Sequence, residues 1–205
     1  MKLRNTAIVL GVGVAIAAGL SLLKVNKDFV VGSSVVVVGA GLTIALKDNN
    51  DINIKARNYE YFFNRAQDKL ELADYEEAII DYNKALELLP KEICLVFSMR
   101  GNAKRNLGDF EGAISDQNKA LDFDPLYSDG YFNRGIAKFK KGDFDGAIRD
   151  YSQVLKINPK DSDSFFNRAN VRKEMGEMKR ACEDWRKAAD LGDDDAAKLL
   201  RENCE

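Results

Sequence analysis

"YFNRG" at residues 131–135 returns in altered form as "FFNRA" at 62–66, "FSMRG" at 97–101 and "FFNRA" at 165–169. The constant letter is the arginine. Arg65, Arg100, Arg134 and Arg168 are separated by 35, 34 and 34 residues. A period of that length marks an array of supersecondary units, each burying its apolar face only against its neighbours. Sixteen residues after each Arg stands an Asp: Asp81, Asp116, Asp150 and Asp184. The spacing places the two charges on different segments of one unit. It therefore predicts four ion pairs, Arg65–Asp81, Arg100–Asp116, Arg134–Asp150 and Arg168–Asp184, that form within or between units as they stack.

Working outward, each Arg lies in an amphipathic stretch that ends at a turn signal: "AD" at 73, "GD" at 108 and 142, "GE" at 176. Gly suits the left-handed end of one helix and Asp caps the start of the next. A second amphipathic stretch follows. The chain's three prolines, Pro90, Pro125 and Pro159, stand where that second helix should stop. Small residues fall where the two helices must cross: Ala66 with Ala78, Gly101 with Ala113, Gly135 with Ala147, Ala169 with Ala181. Bulky ones surround them, such as Phe62, Tyr75 and Tyr82 in the first unit and Tyr131, Phe144 and Tyr151 in the third.

This pattern of an aromatic, a small residue four places on, a "GDY"-like turn, an Ala, an aromatic, another Ala and a Pro resembles the tetratricopeptide repeat. The likeness covers about 59–192 in four units, near 59–92, 94–127, 128–161 and 162–192. Departures are Ala73 for the turn Gly, Gln117 for the second-helix aromatic, Val154 for the late Ala and Asp193 for the final Pro. The segment "DDDAAKLLREN" after 192 reads as a solvating end-cap helix over about 194–203. The expected fold of 58–205 is thus an all-α solenoid of four helix-turn-helix repeats and a cap.

The resemblance implies a protein partner, held as an extended segment or a helix in the concave groove of the first helices. The groove would present Phe63, Asn64, Met99, Asn102, Phe132, Asn133, Ile136, Phe139, Phe166, Asn167 and Asn170. An Asn both donates and accepts, so it can bracket a peptide backbone while the rings take apolar side chains. Some relatives grip a chaperone's C-terminal carboxylate with a Lys, Asn, Asn, Lys, Arg clamp. Asn102 and Asn133 match its amides, but Ser98, Asp163 and Asn167 occupy the places that would be cationic. Asp163 would repel a carboxylate, so a terminal-carboxylate clamp is not expected.

Two uncharged runs of 18 residues precede the repeats, "TAIVLGVGVAIAAGLSLL" (6–23) and "FVVGSSVVVVGAGLTIAL" (29–46), with only "KVNKD" between them. As a helix each would extend roughly 27 Å, close to a bilayer's hydrocarbon thickness. They read as a transmembrane helical hairpin over 1–46. Gly11, Ala15 and Gly19 supply a small-residue stripe of the kind that lets helices approach in lipid. Lys2, Arg4, Lys47, Lys55 and Arg57 flank the outer ends, against Lys24 and Lys27 in the turn, which places the array on the cytoplasmic side of a membrane. A cleaved secretory signal over the first run and a buried β-hairpin around the β-branched "VVVV" are the competing readings. Residues 47–57, "KDNNDINIKAR", lack apolar periodicity and read as a polar linker.

Composition narrows the function. Residues 1–57 carry seven Lys or Arg against three Asp or Glu, and 58–205 carry 24 against 30. An acidic array without a basic stripe gives no electrostatic footprint for nucleic acid. With no histidine in the chain, the commonest general base and zinc ligand are missing. There is no phosphate-binding glycine loop and no nucleophile beside a base, so neither an enzyme, a cofactor, a metal nor a small-molecule substrate is expected. Cys94, Cys182 and Cys204 show no paired spacing and read as reduced thiols. The leading expectation is a membrane-anchored interaction scaffold or assembly factor; the alternatives are an integral structural subunit and an exported repeat protein.

Overall fold

The computed structural model describes residues 33–38, 43–88 and 93–204. The chain divides into two compact units, Met1–Arg57 and Asn58–Glu205. In the first, strands β1 (Ser33–Val38) and β2 (Thr43–Asp48) pair antiparallel, with Ser33 opposite Asp48 and Val38 opposite Thr43. The helix expected over 29–46 is therefore corrected at 33–38 and 43–46. Four consecutive valines are stiff at χ1 and suit a pleated ladder better than a helical turn, and Thr43 and Ile44 across from them share that preference. Among the described residues no helix is long and apolar enough to cross a membrane. The first apolar run, 6–23, lies outside the described residues.

The linker expected over 47–57 is also corrected: β2 reaches Asp48 and helix α1 runs from Asn49 to Glu71. In its first turns, "NNDINIKAR", Ile52 and Ile54 stand two apart rather than three or four, so no apolar helical stripe marks them.

The second unit is a run of antiparallel helix pairs. α1 pairs with α2 (Tyr75–Leu88), α3 (Ile93–Asn106) with α4 (Phe110–Phe123), α5 (Ser128–Lys141) with α6 (Phe144–Ile157), and α7 (Ser162–Glu174) with α8 (Met178–Asp190); α9 (Asp194–Cys204) closes on α8. Each second helix packs on the next first helix, and α3 also touches α5 and α5 touches α7. The first helices α3, α5 and α7 thereby line one continuous surface.

The turns follow from local chemistry. Gly108, Gly142 and Gly176 take φ of 83°, 88° and 77°, and their N–H groups, with those of the next residues, return to the carbonyls of the helix just ended. Ala73 holds the same place at φ 61°, with the same pair of bonds from Ala73 to Leu70 and from Asp74 to Lys69. Asp109, Asp143, Asp161 and Asp193 then cap the following helices through side-chain oxygens 2.8–2.9 Å from the N–H groups of Gly112, Gly146, Ser164 and Ala196.

Burial centres on the helix crossings. Ala66, Ala78, Ala113, Ala147, Ala169 and Ala181 are all buried, as are Tyr82, Tyr151 and Trp185 at equivalent places on α2, α6 and α8. Gln117 takes that place on α4 and donates to the Ser98 carbonyl at 3.0 Å. Gly135 has no room for a side chain, since a Cβ there would sit 2.9 Å from the Tyr151 ring. Fully buried Val96, Val154 and Val171 each contribute about 1.5–3 kcal/mol of apolar burial.

The reading of three reduced thiols is corrected at two of them, because Cys182 and Cys204 form a disulfide. Their separation of 22 residues straddles the α8–α9 turn nearly symmetrically, and an antiparallel hairpin brings such positions opposite one another. Cys94 is free and half-buried, and burial pushes its thiol up.

Candidate functional site

The four arginines are built into the array by a repeated constellation. Arg134 on α5 donates from Nε and Nη2 to Asp150 Oδ2 and Oδ1 on α6 at 2.9 and 2.7 Å. The same two-pronged bond joins Arg65 to Asp81 (2.6 and 2.5 Å), Arg100 to Asp116 (2.8 and 2.6 Å) and Arg168 to Asp184 (2.8 and 2.8 Å). All four pairs lie within a repeat. The carboxylates are buried and the arginine side chains partly so, and each guanidinium meets its carboxylate in the fork geometry that gives charge-assisted bonds their strength.

Two further parts of the constellation escaped the sequence reading. A second cation, one turn after each Arg, shares the carboxylate: Lys69, Lys104, Lys138 and Arg172 stand 3.0, 2.8, 2.7 and 2.6 Å from it. The remaining guanidinium nitrogen reaches back to the previous repeat, where Arg100 Nη1 donates to Asn83 (2.5 Å), Arg134 to Asn118 (2.6 Å) and Arg168 to the Ser152 hydroxyl (2.8 Å). These acceptors sit two residues after the preceding Asp. Both sets recur with the arginine's own period, so the signal that found the Arg could have found them. The Arg65 guanidinium beside Asp81 holds that carboxyl below the usual range, and Asp81 in turn raises Lys69.

The first-helix surface carries the residues expected to meet a partner. Asn64 is exposed and the others are partly buried. Phe63 and Met99 pack against the core of the first repeat, Phe132, Ile136 and Phe139 against that of the third, and Phe166 against that of the fourth. Their rings are therefore half core and half surface. The amides differ among themselves. Asn170 accepts from the Trp185 indole at 3.2 Å, and Asn167 donates to the Asp163 carbonyl of its own helix at 2.8 Å. Asn133 accepts from Arg105 at 3.4 Å. The Asn102 carbonyl oxygen is buried without a hydrogen-bond partner.

Family models for the tetratricopeptide repeat match residues 59–92, 101–142 and 128–161. Over 59–92 and 101–161 the array is built of tetratricopeptide repeats. None of the curated proteins matches the chain in sequence. Similar solved structures include MamA 41-end from Desulfovibrio magneticus RS-1, at 20% identity over 70% of this chain and 81% of that one, with a TM-score of 0.64. The Sgt2 TPR domain from Aspergillus fumigatus is 22% identical over 60% of this chain and 82% of its own, at 0.55. The second TPR domain of human RPAP3, in complex with the HSP70 peptide SGPTIEEVD, is 21% identical over 58% and 98%, also at 0.55. At these identities the likeness is one of fold. Tetratricopeptide repeats are protein-interaction modules, and among the described residues no cluster of potential metal ligands is present.

Proposed function

We propose that this repeat protein is a scaffold or assembly factor that holds an extended segment of a partner along the surface of α3, α5 and α7. The observation that carries the reading is a first-helix surface of half-buried rings broken by the partly exposed Asn102 amide. An amide there can bond to a peptide backbone, while Phe132 and Phe166 offer faces to apolar side chains. The peptide complex of RPAP3, a similar fold, supports the same mode. Partners captured by affinity from solubilised membranes supply the test. Peptides tiled from them are titrated against the full chain, and Asn102→Ala is expected to weaken the best one by roughly 1–3 kcal/mol. Equal binding by wild type, Asn102→Ala and Phe166→Ala would move the working surface elsewhere.

A membrane tether belongs to the same proposal, supported now by the first run alone, 18 uncharged residues at 6–23. Deleting it should release the protein from membranes into a carbonate extract; retention of the deleted form rejects the tether. The cytoplasmic side expected from sequence rested on two crossings, and β1 with β2 removes the second. A reporter fused after Glu205 reads the side directly. Activity of a cytoplasmic reporter keeps that placement, whereas activity of an exported one puts the array on the oxidising side that the Cys182–Cys204 bond favours.

A further inference from the structure

We infer that a depression between the α3–α4 turn and α5 takes the side-chain carboxylate of an aspartate or glutamate in the bound partner segment. The inference rests on the reading of the first-helix surface as a segment-binding groove and names the chemistry of its occupant. The depression, about 480 Å³, is lined by Arg105, Asn106, Gly108, Phe110, Ile136 and Lys140. Two cations line it and no acid does.

Arg105 is the exception among the half-buried cations of the first helices. Arg65, Lys69, Arg100, Lys104, Arg134, Lys138, Arg168 and Arg172 each face an Asp. Arg105 has no carboxylate within ion-pair distance among the described residues; its one side-chain bond is the long 3.4 Å contact to Asn133. Nearby acids are committed elsewhere. Asp109 caps α4 by accepting from the Gly112 N–H, and Glu111 pairs with Lys141 at 3.0 Å. Burial also pushes the guanidinium down from its ordinary value, the mark of a cation that has lost water without gaining a counterion. A guanidinium stays charged at neutral pH all the same, so the missing partner is an anion.

The geometry favours a side chain within a segment over a chain end. Gly108 opens the rim of the depression, since a Cβ there would meet nothing within 4 Å. Asn102, one turn before Arg105 on α3, places a partly exposed amide beside the path of the same segment. A terminal carboxylate needs several converging donors, and Ser98, Asp163 and Asn167 do not supply them. One half-buried guanidinium and one exposed lysine match one carboxylate.

The test is a display library of random dodecapeptides fused at their C-termini, so that none ends in a free carboxylate, selected on the full chain in mild detergent. Selected peptides should share an Asp or Glu at one fixed place beside apolar residues. For the strongest of them, synthesised with an amidated C-terminus, Arg105→Gln should weaken binding about tenfold, as expected for losing a charge-assisted bond. Changing the peptide's acid to its amide should weaken it equally, and combining both changes should add little. Lys140→Gln, an exposed change that cannot disturb the core, should weaken it by a smaller factor. Were Arg105→Gln to melt early, the peptide substitution and Lys140→Gln carry the test without it. Selected peptides with no acidic preference, or peptides that bind only when their C-terminus is free, would overturn the carboxylate site and leave the groove standing. If no peptide is selected, the groove reading falls and the carboxylate site with it.

Discussion

Ala73 is the one non-glycine residue with positive φ among the described residues, at 61°. Its methyl group crowds the backbone there, whereas Gly108, Gly142 and Gly176 carry no such cost at the equivalent turns. Ala73→Gly should therefore stabilise the protein by about 1 kcal/mol, read as a higher urea midpoint at unchanged slope. A lower midpoint would mean that chain entropy outweighs the strain. Arg134 and Asp150 set the opposite case. Replacing Asp150 by Ala leaves both Arg134 and Lys138 facing a dehydrated gap, at a cost of roughly 3–5 kcal/mol. Lys138→Ala should cost far less, because the two-pronged arginine bond survives it. Equal losses from the two substitutions would show that the carboxylate does not depend on the arginine.

At the scale of elements, the α8–α9 hairpin is held by two kinds of contact. Ala196, Leu199 and Leu200 cover Trp185 and Ala188, and Cys204 bonds to Cys182. Closing a loop of this length should contribute about 3 kcal/mol, so reductant is expected to lower the melting temperature of wild type but not of Cys182→Ser. No shift on reduction would mean that apolar packing alone fixes α9. The pairing was invisible in sequence for a definite reason. Two lone cysteines 22 residues apart signal a bond only once a turn is placed midway between them, and "LGDDD" reads as a helix start before it reads as a hinge. The helix pairs were legible because Gly-Asp turns, crossing alanines and the arginine period all agree. The 29–46 segment was not, since an uncharged run looks alike to a bilayer and to a strand pair until the valines' χ1 preference is weighed. For the groove, the sequence indicated a face but not its inequalities: Asn170 and Asn102 share a residue type, yet one is bound to Trp185 and the other is orphaned.

For the whole array, buried titratable groups bound the pH range of the fold. Asp81 titrates lower folded than unfolded, so its contribution is present above the ordinary value of 3.8 and is lost as pH falls through the depressed one. Tyr82 is displaced the other way, pushed by burial from 10.0 up to about 12, and Tyr151 is raised further by the same cause. The folded state keeps these phenols neutral, so stability should hold below pH 10.0 and fall as pH rises towards 12. Denaturant titrations across both limits check this, and Tyr82→Phe should flatten the alkaline arm; an unchanged alkaline arm in that variant would place the loss elsewhere. The backward reach of the arginines has a further consequence, for the order in which the chain is made. Arg100, Arg134 and Arg168 bond to Asn83, Asn118 and Ser152, all of which leave the ribosome before them. The farthest forward partner that any of these arginines needs is an Asp in its own repeat. No repeat waits for the next one to satisfy its ladder, so each can lock onto the finished part as it emerges. The bond from Cys182 to Cys204 runs the other way and must wait until α9 has been made.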